Sequence, residues 1–185
     1  MKHPTTRRAA ITALGAGAAS LASLSLLPPN VAFAAISSAA GVVAGGSLEG
    51  PNGPIQFSAF GSRLQLDDVA EPVLHGALAW YDLAGMDGAP LTIALIAVDS
   101  YGPGDIETAR VMTGTASVNG EGEHRFGLRL VDGGEIGAAA DMIRLAIGSA
   151  AGEVSGTPVP ADAGIGFDYD VEGELMTGDV QVIAF

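Results

Sequence analysis

After residue 35, apolar and polar residues alternate with a period of two in short runs, and clusters of Gly, Pro, Asn and Asp separate these runs. Such alternation is typical of strands with one face in a core and one in water, and closely spaced turns favour antiparallel neighbours. Helix signals are nearly absent from this region. The pattern therefore predicts an all-β fold, a single antiparallel β-sandwich or small β-barrel of about eight or nine strands. The predicted strands are 41–49, 55–65, 73–82, 91–99, 109–118, 123–131, 142–148, 165–171 and 179–184.

One hairpin has a specific turn signature. The segment 118–121, with the sequence VNGE, predicts a two-residue type I′ turn, because Asn and Gly tolerate the positive φ angles that this turn requires. In the strand that follows, Phe126 and Leu128 share one face, whereas Arg125 and Arg129 take the other. One face of this strand is therefore predicted to be core and the other solvated.

The N-terminal segment has the features of an export signal. Lys2, Arg7 and Arg8 provide a positive start, and Ala9–Leu27 is apolar and uncharged. The arginine pair resembles a twin-arginine (Tat) signal, and the Gly and Ser residues make the apolar stretch milder than in an ordinary Sec signal. Tat export is therefore favoured over Sec export.

The export signal ends in a cleavage-like site. The sequence AFA at 32–34 has the small residues that signal peptidase requires, so we expect cleavage between Ala34 and Ala35. The alternative is that the apolar stretch remains as an uncleaved anchor, but an Ala-rich and Gly-rich segment inserts weakly. We therefore expect a signal peptide over 1–34, a single all-β domain over 35–185, and no stable transmembrane helix after processing. The predicted location is periplasmic, extracellular or on the cell surface.

The charge balance excludes one class of partner. Loss of Lys2, Arg7 and Arg8 leaves five basic against 21 acidic residues, a net formal charge of −16. Phosphate backbones repel such a chain, so nucleic-acid binding is not expected. There is no cysteine in the sequence, so neither disulfides nor thiolate metal sites are available to it.

The segment 112–147 combines turn glycines, the hairpin dipeptide, an aromatic strand and two aspartates, namely Thr113, Gly114, Val118, Asn119, Gly120, Gly122, Phe126, Val131, Asp132, Gly133 and Asp141. This pattern resembles a bacterial exported all-β module of the post-COAP type. The sequence departs from the pattern at Ala116, His124 and Ile143. The segment 45–50 also resembles the start of the module, and the segment 178–182 resembles its end. The resemblance implies an exported β-domain and supplies no activity.

No clustered catalytic set is evident in the sequence. His75 and His124 each stand alone in strand-like runs, and neither belongs to a metal-binding or nucleophile motif. No catalytic or cofactor-binding residue is therefore assigned.

A run of alternating carboxylates could supply a glycosidase-like pair. Asp168, Asp170, Glu172 and Glu174 would all point the same way on one strand. The simpler interpretation is a solvated face, because Phe167, Tyr169 and Val171 occupy the opposite parity.

Aromatic residues give a further test of strand parity. Trp80 shares its parity with Leu78 and Leu74, which predicts a core position. Tyr81 and Tyr101 are then the candidates for contact with a partner.

The loop 132–141 is a candidate calcium site. It carries Asp132, Glu135 and Asp141 among glycines, and calcium prefers oxygen ligands in flexible coordination. The spacing does not match an EF-hand. The alternative is a connection in which Asp132 and Asp141 accept hydrogen bonds from nearby backbone amides. No other cofactor is predicted.

These observations favour a non-enzymatic interaction or structural module with an unknown extracellular or surface partner. The alternative is a small secreted enzyme or an apolar-ligand-binding β-barrel, since a barrel of this size can enclose a ligand. A filled barrel interior would favour the module. A deep apolar pocket in which a histidine meets a carboxylate would favour the alternative.

Replacing Arg7 and Arg8 together by Lys should block export, because the twin-arginine route reads the arginine pair and not merely the positive charge. The lysines retain that charge, so a Sec signal would continue to work. N-terminal sequencing of the secreted protein should give Ala35 as the first residue. Undiminished export of the double variant would contradict the twin-arginine assignment.

Overall fold

The computed structural model describes residues 36–67, 69–85, 87–134, 140–155 and 167–184. These ranges form eight strands, each of which pairs antiparallel with the next. The first strand also pairs with the last, so the sheet closes into a barrel. The strands are β1 (Ile36–Gly50), β2 (Gly53–Leu66), β3 (Val73–Asp82), β4 (Leu91–Pro103), β5 (Ala109–Val118), β6 (Glu121–Val131), β7 (Met142–Ile147) and β8 (Tyr169–Ala184). The predicted all-β fold is confirmed, and its architecture is that of a barrel.

The chain forms short helices between β7 and β8. A 3-10 turn spans Gly148–Ala150, and an α-helix, α1, spans Ala151–Ser155. No helix in the described ranges has the length and apolar character needed to cross a bilayer. The predicted signal segment, with its arginine pair and cleavage site, lies outside the described residues.

Strand β8 replaces two predicted strands. The sequence prediction separated 165–171 from 179–184, because the glycines between them resemble turn residues, yet a single strand includes the last three residues of the first segment and all of the second. Its register on β1 shifts at Met176, so that Ser47 pairs with Thr177 while Leu48 pairs with Leu175. A bulge accommodates an extra residue without ending the strand. Over the described residues the barrel therefore has eight strands, as the prediction of about eight or nine allows.

Glycines permit β1 and β8 to approach each other at the closing seam. A Cβ added to Gly46 would lie 1.9 Å from the carbonyl oxygen of Thr177, and one added to Gly178 would lie 2.0 Å from that of Gly45. Gly178 also has a φ of 106°, which favours glycine. Any side chain at these two positions would push the closing strands apart.

Side chains fill the barrel interior. Inward-facing residues from every strand form one cluster, in which Trp80, Phe126 and Leu128 are among the largest fully buried side chains. An eight-stranded barrel is narrow enough for its own side chains to fill it. The predicted core position of Trp80 is confirmed. Tyr81 is 39% exposed, as expected. Tyr101 is only 6% exposed, because β4 continues past the predicted end at residue 99 and Tyr101 shares the inward parity of Leu91 and Ile93.

Three outward arginines pair with carboxylates. Arg125 bonds to Asp99, and Arg129 lies 2.8 Å from Asp105. The third, Arg144 on β7, contacts Asp170 on β8 at 2.7 Å and Glu153 on α1 at 2.9 Å, and these hydrogen bonds hold the pKa of its guanidinium above the ordinary value. Arg144 therefore ties the β7–β8 connection to the barrel wall. The outward direction predicted for Arg125 and Arg129 is confirmed.

The carboxylates of β8 form an outer face. Asp170, Glu172 and Glu174 are exposed, whereas Tyr169 and Val171 are buried in the core. The solvated-face interpretation of this run is therefore confirmed.

Gly120→Val should lower the free energy of unfolding by about 1–2 kcal/mol or more, because a β-branched residue is strained at positive φ. Asn119 and Gly120 have φ angles of 52° and 79°, as the predicted type I′ turn requires. Gly102→Val is the matched control, because an added Cβ meets nothing within 4 Å at either position and Gly102 has no positive φ. Urea unfolding would measure both, and equal midpoints would contradict the explanation by strain.

Candidate functional site

One end of the barrel carries a pocket of about 300 Å³. Because the strands run alternately up and down, the β1–β2, β3–β4, β5–β6 and β7–β8 connections all lie at this end, which we call the pocket end. The β1–β2 turn, the β3–β4 loop, the 3-10 turn and the start of β8 supply the lining, which consists of Pro51, Asn52, Asp82, Gly85, Ala150, Asp168, Tyr169, Asp170 and Val171.

A buried chain of hydrogen bonds supports the pocket from below. The indole Nε1 of Trp80 donates to the Tyr169 hydroxyl at 2.9 Å, and this hydroxyl donates to Oδ2 of Asp82 at 2.9 Å. The other oxygen of Asp82 accepts from the backbone amides of Ala84 at 3.1 Å and Gly85 at 2.9 Å. Asp82 is only 2% exposed, and these three donors compensate for the loss of water around its carboxylate.

Tyr169 is held in its neutral form. Burial, together with the hydrogen bond to Asp82, raises the pKa of its hydroxyl above the ordinary value. A neutral phenol at this position donates a hydrogen bond, and it does not act as a base near neutral pH. The role of Tyr169 is therefore to connect Trp80 to Asp82 and to form one wall of the pocket.

The polar and charged groups on the pocket rim are also hydrogen-bonded to neighbouring residues. Oδ1 of Asp168 accepts from the backbone amide of Ser149 at 2.7 Å and from its hydroxyl at 2.8 Å, and these bonds lower the pKa of Asp168. Both oxygens of Asp170 accept from Arg144. Asn52 donates to the carbonyl of Gly85 at 2.7 Å. These bonds fix the polar groups of the rim in place, and the Ser149 hydroxyl gives its hydrogen to Asp168, whose lowered pKa makes that carboxylate a weak base.

Aromatic rings run across the barrel beneath the pocket. Phe57 lies 5.8 Å from Trp80, which meets Tyr169 edge-on at 6.3 Å. Tyr169 stacks with Phe167 at 6.4 Å, and Phe167 meets the ring of His124 edge-on at 5.9 Å. Such offset and edge-on pairs add to the stability that ring burial provides. The aromatic row therefore makes the floor of the pocket end stiff.

The two histidines do not form a site together. His124 lies near the pocket end on β6, whereas His75 lies towards the opposite end on β3, paired in register with Ser62. Nδ1 of His124 and Nε2 of His75 are buried without a hydrogen-bond partner. Neither has a described carboxylate within salt-bridge distance.

The proposed calcium ligands Asp132 and Asp141 bind backbone amides. Asp132 accepts from Gly134 at 2.8 Å and from Val182 at 3.3 Å. Asp141 accepts from Gly133 and Val180, both at 2.8 Å. These bonds cover the part of the β8 edge that does not pair with β7. Asp132 and Asp141 therefore bind backbone amides, as the alternative to a calcium site predicts.

The calcium hypothesis itself stays a prediction. Glu135 lies outside the described residues, and the described residues contain no group of three or more His, Asp or Glu side chains placed to hold a metal ion. Burial, with a contribution from the neighbouring Asp179 carboxyl, raises the pKa of Asp141. Melting curves in calcium and in chelator would test the hypothesis.

Sequence reasoning did not identify Asp82 or Tyr169 as a linked pair. They lie 87 positions apart in the chain, so only barrel closure brings them together. One signal was available: Asp82 shares the inward parity of Trp80, which marks it as a buried carboxylate in need of donors.

Comparisons with protein-family models, with curated proteins and with solved structures found no match to this chain.

Tyr169→Phe should lower the free energy of unfolding by about 2–4 kcal/mol, because it leaves the buried Trp80 indole and one Asp82 oxygen each without a partner. Tyr81→Phe is the matched control on an exposed site and should change it by less than about 0.5 kcal/mol. Urea unfolding followed by Trp80 fluorescence would measure both. A variant as stable as the control would show that the hydrogen-bond chain does not stabilise the fold.

The pH dependence gives a second readout of the same variant. Tyr169 has a higher pKa in the folded protein than in the unfolded chain, so its contribution to stability is complete below about pH 10 and is lost as the pH rises further. Tyr169→Phe should therefore lose less stability than the wild type above about pH 10.

Proposed function

We propose that this chain is an exported, non-enzymatic β-domain that acts as an interaction or structural module outside the cytoplasm or on the cell surface. The observation that supports this most is the filled interior. The side chains of one continuous core occupy the barrel over the described residues, so ligand recognition falls to the barrel ends and the outer wall.

The pocket end supports binding in preference to catalysis. Catalytic acids and bases need a protonation state and a free lone pair suited to proton transfer. Asp82, Tyr169 and Asp170 instead use their polar atoms in hydrogen bonds to neighbouring groups. Groups held in this way define the shape and polarity of a surface without supplying a reactive atom.

The proposal that the protein is exported is based on the sequence of the first 35 residues and on the composition of the remaining chain. The domain needs no disulfide, since the sequence has no cysteine, and its predicted charge of −16 keeps it apart from anionic polymers. The resemblance of 112–147 to an exported module of the post-COAP type agrees with this interpretation. The proposed partner is a neutral or cationic surface group.

The second candidate is a small secreted enzyme or an apolar-ligand-binding barrel. The pocket is the observation in its favour, since about 300 Å³ is at the lower limit of the range that small-molecule sites occupy. Its lining includes Pro51 and Val171 beside the polar groups. An apolar molecule bound there would lie against Tyr169, which bonds directly to Trp80.

Trp80 therefore reports on the pocket, because it is the single tryptophan of the chain. For an interaction module, titration with the neutral apolar fluorophore N-phenyl-1-naphthylamine should leave Trp80 emission without a saturable change. Ala150→Phe, which narrows the pocket, is the control. A saturable change in the wild type that the variant abolishes would favour the ligand-binding alternative.

The module hypothesis has a direct test as well. Labelled protein should bind to the surface of cells that produce it, saturably and in competition with unlabelled protein. Heat-unfolded protein is the control for adhesion through exposed apolar segments. Absence of saturable binding to cells and to their extracellular material would overturn the proposed function.

A further inference from the structure

The pocket offers hydrogen-bond acceptors to a ligand but no free side-chain donor. Its described lining includes the carboxylates of Asp82, Asp168 and Asp170. Only two side chains of this lining can donate, and both already donate within the protein. The amide nitrogen of Asn52 donates to a backbone carbonyl at 2.7 Å, and the Tyr169 hydroxyl donates to Asp82 at 2.9 Å. The pocket therefore suits a ligand that brings its own donors.

Two acceptor atoms of the lining remain available among the described groups. Oδ1 of Asp168 accepts from the amide and the hydroxyl of Ser149, whereas Oδ2 accepts from no described donor. The same bonds lower the pKa of Asp168, so this carboxylate is charged at neutral pH. The amide oxygen of Asn52 also lacks a described donor, because only the nitrogen of that amide is bonded. One charged oxygen and one neutral oxygen thus line the same cavity.

The carboxylates of the rim favour an ammonium group over a guanidinium group. Arg144 already donates to both oxygens of Asp170, at 3.0 Å and 2.7 Å. Asp168 has one oxygen occupied by Ser149 and one oxygen free. A guanidinium binds best to both oxygens of one carboxylate, whereas an ammonium is a compact charge whose three donors rotate to meet separate acceptors. The free acceptors therefore match an ammonium group.

Apolar groups complete the lining of the pocket. Pro51, Ala150, Val171 and the ring of Tyr169 face the same cavity. A methylene chain placed against them would lose contact with water while its charged end stays at the polar rim. The volume of about 300 Å³ is at the lower limit for small-molecule sites, so it suits a single extended side chain.

The charge around the pocket also favours a cation. Asp87, Glu121 and Glu123 are exposed at the same end of the barrel, in the β3–β4 loop and at the start of β6. Over the described residues, the ion pairs of arginine reach the lining only where Arg144 binds Asp170. The described ranges contain no lysine, so a second copy of the barrel does not supply an ammonium side chain. The cation must come from a different molecule.

We propose, on the basis of the proposed function as an interaction module, that the pocket binds the ammonium group of a lysine side chain on a surface partner. The ammonium donates to Oδ2 of Asp168 and to the amide oxygen of Asn52. The aliphatic stem of the lysine lies against Pro51 and Ala150.

NMR titration of the isotope-labelled full-length protein with three small probes tests the ammonium site. n-Butylammonium reproduces the end of a lysine side chain, n-butanol has the same stem without the charge, and n-butylguanidinium carries the charge in the shape of arginine. Butylammonium should shift the amide signals of Asn52 and Gly85 saturably, with a dissociation constant in the millimolar range. Butanol should cause no saturable shift, and butylguanidinium should bind several-fold more weakly. Absence of a saturable shift with butylammonium, or equal binding of the two cations, would overturn the proposal.

Two matched aspartate variants locate the charge that binds the probe. Asp168→Asn removes the charge of the free oxygen and should weaken butylammonium binding about threefold to fivefold. Asp87→Asn removes the same charge from the same end of the barrel outside the lining, and it should leave the binding nearly unchanged. Equal losses in both variants would indicate attraction by general charge and would overturn the proposal.

A third variant tests whether the cavity itself is the site. Ala150→Phe narrows the pocket and should abolish the saturable shift with butylammonium, while a melting curve without the probe shows that the variant is folded. If the folded variant binds butylammonium like the wild type, the probe lies outside the pocket and the proposal is wrong. The two aspartate variants decide the same question if this substitution prevents folding.

Chemical modification of cells that bind the protein tests the lysine source. Acetylation removes the charge of surface amines, whereas reductive methylation retains it. The labelled protein should bind acetylated cells several-fold more weakly than methylated cells, and equal binding would overturn the assignment to lysine. Failure of butylammonium to bind, with saturable cell binding intact, would overturn this proposal and leave the proposed function standing. Absence of cell binding, with butylammonium binding intact, would instead overturn the proposed function and the surface partner with it.

Discussion

The pairing of β1 with β8 is the constraint on which the rest of this structure depends. It joins the two ends of the described chain, and it requires close backbone approach at Gly46 and Gly178. Without it, the sheet would have two free edges, and the inward side chains would be exposed along the opening. With it, every strand has two neighbours and the interior becomes one continuous core.

Closure also decides how polar groups near the barrel ends are satisfied. At the pocket end, Asp82, Tyr169 and Trp80 meet across the barrel and satisfy one another. Towards the opposite end, Tyr101 on β4 is buried in the core beside Arg110. A satisfied network such as that of Asp82, Tyr169 and Trp80 rigidifies a fold, because removing one member leaves the others buried without a partner.

The filled interior bears on function. A barrel filled by its own core leaves recognition to its ends and outer wall, which agrees with the proposed role as an interaction module. At the pocket rim, Asp168 is bound by Ser149 and Asp170 by Arg144, so that end has a fixed pattern of polar groups.

The amino-acid sequence by itself determined the local features of this protein. Alternation with period two gave the strands and the buried face of Trp80, and the positive φ of Asn119 and Gly120 follows from their own chemistry. These properties depend on neighbours a few residues away. The tertiary structure decided what depends on strand register. It made one strand of the two predicted near the C-terminus, because a bulge absorbed the irregular residues. It also extended β4 past residue 99, so that Tyr101 lies in the interior. It joined Asp82 to a tyrosine 87 positions away, since only a closed sheet fixes which distant residues share a layer.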